Sequence, residues 1–258
     1  MRILLSNDDG ILAPGLAALY QAVKDLGEVT VVAPDSPRSA AGHSITIRRP
    51  LTVREVHVQD GDFRGLSVDG SPADCVRLAI FELLEEMPDL VLSGINAGAN
   101  VGIHVFYSGT VAAAAEGSMF GVPAVAMSAK VSEGEIDFHW AAEHCRAALE
   151  VVLDKGLVRG DLVNVNVPSS GTGRPRGLKV VPQSTVELRD IYRKVHDRNG
   201  VRTYEIEDFA FLPGEPETDV TALDEGYMTV TPLHVNMTAV RKLSALRDLP
   251  WVTPGGEE

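Results

Sequence analysis

The chain has 258 residues, 45% of them apolar and 23% charged, with a formal net charge of −13. These values suit one large α/β domain, or one domain with a substantial appendage, and exclude disorder and fibrous repeats. So negative a balance also argues against a protein that tracks a polyphosphate backbone, which needs clustered Lys and Arg, so no nucleic acid polymer is expected as a partner.

In chain order, "RILLS" reads as a buried strand that stops at Asn7 and is followed at once by the adjacent carboxylates Asp8 and Asp9. A helix is predicted from Gly15 to Lys24 and a second strand over "VTVVAP". The polar loop "DSPRSAAGHS" leads to "ITIRRPLTVREVHV", whose alternation predicts hairpin strands. In "GSPADCVRLAIFELLEEM", Ser71 is the expected N-cap and Pro72 the first helical residue. "PDLVLSG" predicts another buried strand and "INAGANVG" a glycine-rich loop. A helix capped by Ser108 and ended by Gly121 follows, then the strand "VPAVAMS", a helix from Phe138 to Leu153 and the strand "LVNVNVP". Residues 1–168 therefore read as a Rossmann-like, doubly wound, mostly parallel α/β core.

Beyond Pro168 the pattern becomes irregular, with "DRNG" as a hairpin turn at Asn199-Gly200 and "NMTAVRKLSALRDL" as an amphipathic terminal helix. Residues 169–258 read as an appendage of strands, hairpin arm and helix, packed partly on the core and partly on partner subunits. Packing on its own core alone is the competing expectation. Cys75 and Cys145 are the only cysteines and lie far apart in predicted helices, which suits a reducing compartment and two buried, unreactive thiols. The N-terminal apolar run is too short for a secretory signal, and no stretch approaches the ~20 apolar residues of a membrane span. A cytoplasmic protein without membrane association is expected.

Ligands of open parallel sheets bind beyond the carboxyl ends of the strands. Asp8 and Asp9, Asn96 and Ser39 each follow a different predicted strand. Two carboxylates, an amide oxygen and a hydroxyl make the all-oxygen set that hard divalent ions such as Mg²⁺ or Mn²⁺ prefer. Zinc is disfavoured, because the seven histidines are scattered and His139 and His144, five apart, fall on different helix faces. A solvated turn is the bland reading of "DDG". The spacing of Gly94, Gly98 and Gly102 matches neither a dinucleotide fingerprint nor a Walker A loop, and it reads as a loop that lets backbone approach a ligand. Ser108, Gly109 and Thr110 begin a helix, a favourable place for a phosphate, with a plain N-cap as the alternative.

Taken together, "ILLSNDDG", "VVAPDSPRSAAGHSIT", "GSPADCV", "LVLSGINAGANVG", "YSGTVAAAAEG", "LVNVNVP" and "GYMTVTPL" resemble the SurE family of stationary-phase survival proteins, metal-dependent nucleotidases, over nearly the whole chain. The resemblance implies a divalent cation, Mg²⁺ or Mn²⁺, held by Asp8, Asp9, Ser39 and Asn96. It implies a phosphate held by Ser39, Asn96, Ser108, Gly109 and Thr110, and a catalytic group made of Asp8, Asp9 and Asn96. It further implies hydrolysis of nucleoside monophosphates and a homodimer or homotetramer built through the arm. The arm itself, "VELRDIYRKVHDRNGVRTYEIEDF", keeps only the family's general outline. Of the two carboxylates, Asp9 is the one favoured to orient the attacking water. Competing readings are an aspartyl-phosphate phosphatase, a non-catalytic metal and nucleotide sensor, and an acyl-transfer enzyme using Ser108 or Thr110, for which no His and Asp pair is identifiable.

Overall fold

The computed structural model describes residues 1–59, 61–131, 136–211 and 215–251. Its centre is a nine-stranded sheet of strands β1 (Arg2–Ser6), β2 (Glu28–Pro34), β3 (Val53–Val58), β4 (Phe63–Val68), β5 (Leu90–Ala97), β6 (Ala124–Ala129), β7 (Leu162–Val167), β8 (Leu178–Val180) and β11 (Met228–Leu233). They are ordered β3-β4-β2-β1-β5-β6-β7-β11-β8. The six strands from β4 to β7 in that order run parallel, while β3 and β11 are antiparallel to their neighbours β4 and β7. The chain winds outward from β1 through β2 to β4, then returns to β5 on the other side of β1. The order therefore reverses between β1 and β5, which makes their carboxyl ends the place where an open sheet leaves a crevice.

Alternation within the buried strands builds two cores. Ile3, Leu5, Val31 and Ala33 face one layer, with helices α1 (Pro14–Val23) and α4 (Phe138–Asp154). Leu4 and Val32 face the other, with α2 (Pro72–Leu78) and α3 (Gly109–Met119). Because both faces are covered, the central strands are apolar on both sides, which is why they read as continuous hydrophobic runs. Helix α1 approaches the sheet very closely at its start: a Cβ on Gly15 would lie 2.0 Å from the Ile95 carbonyl oxygen. Only glycine allows that contact.

The expected cap of α2 is present and does more than end a helix. Ser71 Oγ accepts from the Asp74 N–H at 3.0 Å and Asp74 Oδ2 accepts from the Ser71 N–H at 2.9 Å, a reciprocal capping box. Asp74 also accepts from the Thr46 N–H at 2.8 Å and the Thr46 hydroxyl at 2.7 Å. That second bond corrects one expectation. The stretch 44–52 forms no strand despite its alternation, because Thr46 uses its backbone on Asp74 and Ile47 stands 81% exposed. Only its end, β3, is extended, and it pairs with β4, whose sequence "FRGLSV" gives a weak strand signal.

Two strands from beyond Pro168 extend the main sheet, β11 beside β7 and β8 beside β11. Strands β9 (Leu188–Arg198) and β10 (Val201–Phe211) form a separate antiparallel hairpin through the expected turn, with Asn199 and Gly200 at φ 54° and 76°. A short helix, α5 (Asp219–Asp224), precedes β11, and α6 (Val240–Arg247) buries none of its residues. Both cysteines are free and fully buried; burial pushes the Cys145 thiol up to about 12 and raises that of Cys75 as well. Among the described residues no helix is long and apolar enough to cross a membrane.

Candidate active site

Asp8 and Asp9 leave β1 at the point where the sheet order reverses, and Asn96 lies near the end of β5 directly beside it. The turn that carries the two carboxylates is closed by a side chain. Asn7, fully buried, accepts from the Gly10 N–H at 3.2 Å and donates to the Gly10 carbonyl at 2.9 Å. The loop bearing Ser39 is tied to the same turn, because the Arg38 N–H donates to the Asp8 carbonyl at 2.8 Å. Ser39 itself is exposed.

Helix α3 starts against Asp8. A Cβ on Gly109 would lie 2.7 Å from Asp8 Cβ and 3.0 Å from its Oδ2, so the first turn reaches the carboxylate only because residue 109 has no side chain. The Thr110 hydroxyl donates to Asp8 Oδ1. Ser108 Oγ accepts from the Val111 N–H at 3.0 Å as the N-cap. Two of the three hydroxyls expected at the phosphate, those of Ser108 and Thr110, thus already have protein partners, while the Gly109 N–H has no acceptor among the described residues. Asp9 Oδ2 accepts from the Ala97 N–H at 3.2 Å. Asn96 donates its Nδ2 to the Gly98 carbonyl at 2.7 Å, which leaves its Oδ1 available as an acceptor.

The loop after β5 is fixed from two directions by residues whose part was not legible in the sequence. Asn100 sits over β6 and β7: its N–H donates to Asn166 Oδ1 at 2.8 Å, its Nδ2 to Ser128 Oγ at 2.8 Å, and its carbonyl accepts from Asn164 at 2.7 Å. Asp219, buried at the start of α5, accepts from the Gly102 N–H at 2.9 Å and the Ser184 N–H at 2.8 Å. The alternate Asn residues of "LVNVNVP" were the available sign, since polar side chains at every second position of a buried strand need partners.

Asp8 is only 6% exposed. Burial foremost, with the neighbouring Asp9 charge, pushes its carboxyl up to about 6, against the opposing Thr110 hydrogen bond. Burial also raises Asp9, against the Ala97 N–H. No Lys, Arg or His among the described residues pairs with either. A carboxylate pair of one buried and one half-buried group, without a counter-charge among the described residues and flanked by the Asn96 oxygen and the Ser39 loop, fits a hard dication. Among the described residues no cluster of three or more His, Cys, Asp or Glu offers a different metal site.

This arrangement has a measurable cost in the metal-free protein. The rise of Asp8 from 3.8 to about 6 corresponds to roughly 3 kcal/mol of destabilisation once the group is ionised in both states. The cost is absent below 3.8, grows as pH rises through the interval up to about 6, and is complete above it. In chelator-treated protein, Asp8→Asn therefore melts above the parent at pH 8, with a gap that narrows at pH 5; thermal melts in which the variant melts lower at pH 8 contradict this.

The family model for "Survival protein SurE" matches residues 3–190. Among curated relatives, "5'-nucleotidase SurE" of Desulforudis audaxviator is 44% identical over 255 residues, covering 97% of this chain and 98% of that protein. The protein of the same name from Rhodopirellula baltica is 46% identical over 250 residues, covering 96% and 98%. The crystal structure of a SurE protein from Aquifex aeolicus superposes with a TM-score of 0.82 at 39% identity, covering 96% of this chain and 98% of that one. With its family model, its sequence and its sheet in agreement, this chain belongs to the SurE family.

Proposed function

We propose that this protein is a divalent-metal-dependent nucleotidase that hydrolyses nucleoside monophosphates to nucleoside and phosphate. The observation that carries the reading is the adjacent pair of buried Asp8 and half-buried Asp9 at the sheet's switch point, without a basic partner among the described residues and with Asp8 against the start of α3. The names of the relatives, 5'-nucleotidases at more than 40% identity, support the substrate class.

In this reading Asp8, Asp9, Ser39 and Asn96 hold Mg²⁺ or Mn²⁺. When bound, such an ion offsets the charge of the phosphoryl group and makes a water more acidic. The rest is the work of the chain. Thr110 holds Asp8 in one rotamer through Oδ1 and leaves Oδ2 for the cation. The Gly109 N–H, without an acceptor among the described residues and at the positive end of α3, donates to a phosphoryl oxygen, with Asn96, Ser39, Ser108 and Thr110 around it. Asp9 is restrained through Oδ2 by Ala97, and its other oxygen orients the attacking water.

The reading also takes the protein as a homodimer or homotetramer assembled through the region after residue 168. The hairpin exposes Ile191, Tyr192, Val195, Val201, Tyr204 and Ile206, and Trp251 after α6 is 71% exposed. Apolar surface of that extent on projecting elements suits contact with another copy. Sedimentation equilibrium then gives two or four times 27.6 kDa, and a species of single-chain mass would contradict the assembly.

Chelator-stripped protein releases no phosphate from nucleoside monophosphates and regains turnover with Mn²⁺ or Mg²⁺. Asp8→Asn and Asp9→Asn each lose on the order of 10²-fold or more in kcat at saturating metal, the scale expected when a group acting on developing charge is removed. Full turnover in chelator, or in Asp8→Asn, defeats the proposal.

A further inference from the structure

The turn after β1 and the end of β2 form a seam beside the catalytic pair. The Ile11 N–H donates to the Pro34 carbonyl at 2.8 Å, and a Cβ on Gly10, whose φ is +99°, would lie 3.4 Å from the Ser36 backbone. Against this seam lies a cavity of about 450 Å³ lined by Leu12, Pro14, Pro37 and Phe138 together with Asp9 and Asp35. Its size and its mix of apolar walls with a few polar groups are those of a small-ligand site. Leu12 is 68% exposed, so the core does not account for it.

Asp35 follows β2 immediately, and its backbone N–H is fixed on the Val68 carbonyl at 2.8 Å. Its Oδ1 accepts from Ser36 Oγ at 2.9 Å and from Arg38 Nη2 at 3.2 Å. No donor among the described residues is paired with Oδ2. The cavity touches Asp9, whereas α3 touches Asp8. A substrate phosphate at α3 and a group in this cavity would therefore meet different members of the carboxylate pair.

We propose that this cavity is the nucleoside subsite: the base lies against Leu12 and Phe138, and a ribose hydroxyl donates to Asp35. The inference rests on the nucleotidase reading above. Aliphatic and aromatic walls suit the faces of any base, while a carboxylate at the end of the second strand is well placed, in a sheet of this winding, to accept from a ribose hydroxyl. The polar side chains in the lining are Asp9, Asp35 and Ser36; with Asp9 assigned to the cation and Asp35 to the ribose, only the Ser36 hydroxyl is left to read a base edge. Discrimination therefore falls on the sugar more than on the base.

The test compares kcat/KM for adenosine monophosphate, its 2′,3′-dideoxy analogue and p-nitrophenyl phosphate in the metal-loaded parent, Asp35→Ala and Leu12→Trp. Both positions lie outside the hydrophobic core, and thermal melting checks that each variant is folded. In the parent the ribonucleotide is preferred over the dideoxy analogue. Asp35→Ala brings that ratio toward one, and Leu12→Trp lowers nucleotide turnover at least tenfold relative to p-nitrophenyl phosphate, through KM. Ratios equal to the parent's in both folded variants overturn the subsite and leave the nucleotidase reading standing. A metal-loaded parent that turns over no nucleotide overturns both.

Discussion

Two like charges side by side, one buried and one half-buried, are the constraint on which the site depends. Neither Asp8 nor Asp9 has a basic partner among the described residues, and Asp8 is nearly inaccessible to water. Burial pushes both carboxyls up, and the Asp9 charge adds to the rise of Asp8, so a proton on Asp8 is favoured. A dication held between them would reverse that balance. The same reversal matters to the whole protein, because a chain of net charge −13 otherwise repels a phosphorylated substrate.

The surrounding fold keeps the pair in place. Asn7 closes the turn on one side, Arg38 fastens the Ser39 loop to the Asp8 carbonyl, and Thr110 fixes the Asp8 carboxylate. The Asn100 network and Asp219 hold the loop that follows β5, the strand whose last residue, Ala97, bonds Asp9. Such supports set the carboxylates before any ligand arrives, the condition under which fixed charges and dipoles act without reorganising. Gly15 and Gly109 contribute by absence, since each admits a helix start to a contact that a side chain would block.

The parts of this structure that were legible in the sequence share a physical cause. Strands covered on both faces give unbroken apolar runs, so most of the parallel sheet could be read directly, and strand ends then pointed to Asp8, Asp9, Ser39 and Asn96. Ser71 with Pro72 and Ser108 announced their caps because capping is local. What stayed hidden was long-range: β4 is a weak strand until β3 and β2 flank it, and Thr46 gives up a strand to a carboxylate 28 residues away. The bond from Thr110 to Asp8 spans 102 residues, and no local pattern encodes it.

Crystals of the full chain grown with Mn²⁺, with anomalous differences collected at the manganese edge, test the central claim most directly. The account predicts one strong peak within coordination distance of Asp8, Asp9 and Asn96, with Ser39 at its edge, and its loss in Asp8→Asn. A fully occupied crystal with no peak there, or with the ion bound only elsewhere, would contradict it.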